Sequence, residues 1–192
     1  MTIPFEIHLT VADLPAEAID AFVQCCTLAS AKPMLITLSR GEHIRQPMLT
    51  KVLYATSLAE ILTDTDILCQ SLSGRGYPVN RVKIEIPAHH AATWQEPALY
   101  FEWHGKISYV EPAALLALCE HQEVHLSVNA LRDDTGTRFI TLREYGDETI
   151  FRERVAGLTA ALLAGGWELT KQQAEYCVYD TNVTLDNGWL SN

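Results

Sequence analysis

The sequence lacks several features that would narrow its role at once. No apolar run is long enough to span a bilayer as a helix, and the opening MTIPFEIHLT has no basic stretch followed by an apolar one. The first absence argues against a helical membrane protein, the second against a secretory leader. There is no CxxC pair. The five cysteines, an odd number set mostly in apolar runs, read as buried free thiols of a cytoplasmic protein. Neither GxGxxG nor GxxxxGK[ST] occurs, so no common nucleotide-cofactor motif is present, and HExxH is absent too. Basic residues are scarce, 14 against 24 acidic ones, which gives a net charge of -10. Nonspecific binding to nucleic acid draws on basic residues meeting phosphates, and this balance argues against it. A small anionic ligand held by one local cluster stays open.

What is present suits a folded body. The 192 residues are 48% hydrophobic, enough for a substantial core. Residues 4–11, PFEIHLTV, alternate: Phe5, Ile7, Leu9 and Val11 on one face, Glu6, His8 and Thr10 on the other. That period predicts a half-buried strand. Helices are expected over about 15–28, 57–73, after Glu111-Pro112, and over 147–164. Strands are expected over 32–38, 47–54, 79–86, 100–107, 123–130, 138–145 and 174–179. Asp133-Asp134-Thr135-Gly136 reads as a turn. Leu185, Trp189 and Leu190 would let the tail wrap over the fold, and Trp189 is also a candidate contact for a homodimer.

Phe5-Glu6-Ile7-His8 returns as Phe101-Glu102-Trp103-His104. Each half reads β-α-β-β-α-β, the ferredoxin-like order. The expected fold class is therefore α+β, from duplicated ferredoxin-like units forming one compact body. The first half would span 1–88, a connector 89–99, the second half 100–180 and a packed tail 181–192. Each sheet would keep one open face, and the two halves together would make a groove.

The polar faces of the strands carry the candidate site. Alternation groups Glu6, His8 and Thr10; Glu102, His104 and Lys106; His125, Ser127 and Asn129; Lys83 and Glu85; and Thr141 with Arg143. Histidine titrates near neutrality, so His8, His104 and His125 are the candidates for proton transfer. His104 and His125 are expected on adjacent strands. Thr10, Lys83, Lys106, Ser127 and Arg143 would bind an anionic oxygen. Glu6, Glu85 and Glu102, with the histidines, offer ligands for a divalent metal.

His8-Leu9-Thr10-Val11 and His125-Leu126-Ser127-Val128 resemble the two His-x-Thr/Ser motifs of the 2H phosphoesterases. The resemblance covers eight residues of the chain. It implies acid–base roles for His8 and His125 and phosphate binding by Thr10 and Ser127. One feature departs from that pattern: the internal repeat pairs His8 with His104, not with His125. The function expected from sequence is a histidine-dependent phosphoester hydrolase acting on a small or oligonucleotide substrate. The alternatives are a non-catalytic ligand-binding or assembly protein, and a metal-binding enzyme using His and Glu on the sheet face.

Overall fold

A computed structural model describes residues 2–96, 98–108, 112–131 and 136–189. The expectations placed on Glu111, on residues 133–135 of the turn and on Leu190 lie outside them. The first half holds β1 (Ile3–Val11), α1 (Ile19–Leu28), β2 (Lys32–Leu38), β3 (Arg45–Ala55), α2 (Leu58–Ser73) and β4 (Val79–Pro87). The second holds β5 (Tyr100–Ser108), α3 (Pro112–His121), β6 (His125–Asn129), β7 (Thr137–Glu144), α4 (Glu148–Ala164) and β8 (Leu169–Asp180). Short 3-10 turns lie at Ala16–Ala18, Ala88–Thr93 and Val183–Asp186.

The expected α+β, ferredoxin-like class is overturned. The eight strands form one closed antiparallel barrel in the order β1-β3-β2-β6-β7-β5-β8-β4. Two pairings make the closure. β2 joins β6 through Ile36–Asn129, Thr37–Val128 and Leu38–Ser127. β4 joins β8 from Lys83–Asp180 to Pro87–Glu175. Edge strands carry unpaired backbone groups, and closing the barrel removes those edges. No open sheet face or groove between halves results. The polar faces roll inward instead. Register shifts in the pairs β1–β4, β4–β8 and β5–β8 mark bulges, which add the local bending that closure needs.

The apolar faces point outward, beneath the helices. Phe5, Ile7 and Leu9 of β1 are fully buried and cluster with Phe22 and Cys26 of α1 and Ile61 and Leu72 of α2. A second cluster joins Trp103, Ile107, Ile140 and Leu142 with Leu115 of α3 and Phe151, Leu158 and Leu162 of α4. Residues that alternate along β1 therefore serve two surfaces, helix-covered outside and polar inside. Gly105 is required by this packing: a Cβ there would lie 2.3 Å from the Trp103 ring.

The helices begin at side-chain caps. Ser57 accepts from the Glu60 N–H at the start of α2, and Asp147 accepts from Thr149 and Ile150 at the start of α4. All five cysteines are free, four of them buried. Burial pushes the Cys26 and Cys177 thiols up to about 12, so neither is a ready nucleophile. No helix among the described residues is long and apolar enough to cross a membrane.

Candidate functional site: a charged lumen closed at one end

The barrel encloses a cavity of about 210 Å³. Strand direction gives it two unlike ends. At the floor, β1, β2 and β7 end while β4, β5 and β6 begin. The tail crosses this end. Gln46 Nε2 donates to the Leu185 carbonyl at 3.1 Å, and the Glu42 N–H donates to the Asn187 carbonyl at 3.0 Å. Gly41, at φ +115°, allows this approach: a Cβ there would sit 3.1 Å from both the Asn187 oxygen and Trp189 Cβ. Trp189 packs on Leu38 and lies 5.5 Å from the His125 ring centre.

Floor charges are paired with one another. Arg81 holds Asp180 at 2.6 Å and Asp186 at 2.9 Å. Arg143 holds Glu102 at 2.6 Å and Asp186 at 2.7 Å, and lies 4.0 Å over the Tyr100 ring. Tyr100 donates its hydroxyl to Asp180. Lys83 bridges Glu102 at 2.5 Å and Glu85 at 2.9 Å. Burial resists the charge on each of these carboxylates, yet the adjacent cations hold Glu102 well below the usual range and keep Glu85 and Asp180 low.

The histidines occupy three different settings. His8 Nε2 lies 3.1 Å from Glu85 and its Nδ1 3.0 Å from Thr50 Oγ1. His104 Nε2 lies 3.3 Å from both Glu102 and Glu175, with Nδ1 3.1 Å from Thr141 Oγ1. Burial opposes its charge, but the two carboxylates outweigh it and push it up to about 10. His104 is thus an imidazolium at neutral pH. His125 is pushed down to about 4, by burial first and then by Arg40 and Arg143. It is neutral, with Arg40 3.1 Å from Nδ1 and no hydrogen-bond partner at Nε2.

His104 and His125 are not on adjacent strands. β7 runs between them, and Thr141 is the register partner of both. The chain His8–Glu85–Lys83–Glu102–His104 links the other two histidines. His8 and Thr10 of β1 and His125 and Ser127 of β6 also do not hold equivalent places, since the strand that repeats β1 is β5.

Of the expected anion binders, Lys83, Lys106, Ser127 and Arg143 line the cavity; Thr10 lies buried with no hydrogen-bond partner for its hydroxyl. Glu6, Glu85 and Glu102 all line it. Ligand atoms of Glu85, Glu102 and His104 fall within 4.8 Å of one another, close enough to share a metal ion. Lys83 already places an ammonium between two of those carboxylates, so a cation bound there competes with it.

At the opposite, solvent-facing end stand Lys32, Lys106 and Lys171. Lys106 and Lys171 are register partners on β5 and β8. Lys32 lies across the lumen, on β2. Just inside, Gln173 donates to Glu6 at 3.1 Å and to Glu175 at 2.7 Å.

Sequence reading missed Lys171 and Gln173 because Thr170 to Gln173 is wholly polar and the expected strand starts at 174; Glu175 falls inside that expected strand but is placed on no polar face. Period two continued back to Leu169 would have found them. Arg81 carried the same alternation as Lys83. Nothing local marks Asp186 as a floor residue.

No protein-family model matches the chain, and no curated protein matches it. The barrel and its lumen therefore carry the functional argument alone.

Proposed function

We propose that the barrel binds a compact anionic small molecule of the phosphate class in its blind lumen. The supporting observation is the mouth. Lys106 and Lys171 are set directly opposite, and like charges so placed destabilise a strand pair. With Lys32 facing them across the lumen, an arriving anion gains from all three. Inside, the His104 imidazolium lies next along β5. The net charge of -10 over the whole chain does not oppose this, because exposed charges beyond about a Debye length, ~8 Å, are screened.

Phosphoester hydrolysis is the second reading. It is favoured by the pairing of His8 Nε2 with Glu85, which Lys83 and Glu102 connect to the imidazolium of His104. In this reading His8, oriented by Glu85 and Thr50, is the acid–base residue.

Calorimetric titration with pyrophosphate tests the first reading. Binding is expected, weakening as salt rises, and lost in the double variant Lys106→Gln/Lys171→Gln while the fold is kept. No binding of pyrophosphate or of any phosphomonoester at millimolar concentration would overturn it. Phosphate release from a phosphomonoester, abolished by His8→Gln, supports hydrolysis; binding without turnover removes it.

A further inference from the structure

The lumen has two unlike walls. The charged wall comes from β5, β8, β4 and β1. The other comes from β3, β2 and β7, and presents Met34, Ile36, Met48 and Phe139 to the cavity. All four are only half-buried, whereas the central outward apolar residues of the same barrel, Phe5, Ile7, Leu9, Ile84, Ile107 and Ile140, are fully buried. Apolar surface left facing a cavity is what a ligand body covers. Methionines adapt their shape and make favourable sulfur contacts with aromatic rings. The stripe runs inward from Lys32 along β2, through Met34 and Ile36 towards Leu38.

We infer that the ligand is a phosphate attached to a flat aromatic ring system of the nucleoside kind, its phosphate at the lysine mouth and its ring inside. This rests on the phosphate reading above and specifies it. A flat ring suits both walls at once. One face lies on the two methionines and Phe139, and the polar edge meets Gln173, Thr141 and Glu175. A flexible alkyl chain fits only one of them, because its other side would press on carboxylates and an imidazolium and desolvate them. Inorganic phosphate uses the mouth and leaves the apolar wall bare.

The test compares adenosine 5′-monophosphate, ribose 5-phosphate, hexyl phosphate and inorganic phosphate by calorimetry on the full chain. Adenosine monophosphate is expected to bind at least ~10-fold more tightly than ribose 5-phosphate, which corresponds to ~1.4 kcal/mol from the ring. Met48→Gln should erase that margin, bringing adenosine monophosphate down to the affinity of ribose 5-phosphate. Phe139→Leu keeps an apolar side chain and should narrow the margin, which covers the case in which Met48→Gln folds poorly. Equal affinities for adenosine monophosphate, ribose 5-phosphate and inorganic phosphate would overturn the aromatic assignment while leaving the phosphate site standing. Tighter binding of hexyl phosphate would overturn it in favour of an aliphatic body. No binding by any of the four would remove the phosphate site itself.

Discussion

The floor and the mouth of the lumen use the same residue types in opposite ways. At the floor, Arg81, Lys83 and Arg143 meet Glu85, Glu102, Asp180 and Asp186, and each of these cations touches two carboxylates. At the mouth, lysine stands beside lysine. Charges buried with partners are needed to keep the barrel and its tail in place. Charges of one sign gathered around an opening are poor for stability and useful for capture. Both groups arise from the same inward alternation, so the type of residue alone does not separate them; their depth in the lumen does.

The comparison breaks most sharply at Asp186. Removing one partner from a buried ionic cluster costs about 3–5 kcal/mol, because the remaining charges stay buried. Asp186→Ala leaves Arg81 and Arg143 each short of a carboxylate, and should lower unfolding free energy by about that amount in urea titration. Lys171→Gln at the exposed mouth should change it by no more than about 0.5 kcal/mol. Similar losses at both ends would erase the distinction.

Gly105→Ala sharpens a different boundary, between the lumen and the helix-covered outside. The added methyl meets Trp103, and overpacking of this kind costs about 1–3 kcal/mol. Pyrophosphate affinity should survive, because the clash lies on the outer face.

The two histidines shifted in opposite directions give a pH signature. His104 is raised to about 10, so its contribution is complete below pH ~6.5 and is lost as pH rises towards 10. His125 is lowered to about 4 and is buried neutral, so stability falls as pH drops from ~6.5 towards 4, by on the order of 3 kcal/mol for a shift of this size. Chemical denaturation across pH 4–10 should show both flanks. His104→Gln should flatten the alkaline flank, and His125→Gln the acid one. The smallest expected effect is on binding: between pH 7 and 9 His104 holds its proton, so pyrophosphate affinity should change little. A steep fall in that interval would place a titrating group at the ligand.

Much of this architecture was legible as alternation. Glu6, His8, Lys83, Glu85, Glu102, His104, Lys106 and Arg143 were assigned to polar faces by period two, and all of them line the lumen. Closure was not legible. It depends on backbone pairing of β2 with β6 and of β4 with β8, and backbone groups leave no trace in side-chain pattern. An alternating strand reads alike whether its polar face meets solvent or a lumen, so an open groove was expected where a barrel stands. The adjacency of His104 and His125 failed for a related reason: the strand next to β5 is β7, which separates them. The apolar wall was hidden as well. KPMLITL is apolar on both faces and read as a buried strand, and only the barrel shows which of its residues face inward. Asp186 lies in a turn-rich tail, where its role depends on arginines 43 and 105 residues away.

The most direct measurement is charge reversal at the mouth, Lys171→Glu, followed by both pyrophosphate titration and urea unfolding. It replaces a like-charge cross-strand pair with an opposite-charge pair opposite Lys106. Cross-strand pairs of this kind contribute roughly 0.2–1 kcal/mol. The account predicts lost affinity with unchanged or slightly raised stability. Retained affinity together with a stability loss as large as that of Asp186→Ala would contradict it, and would make the mouth lysines part of the scaffold.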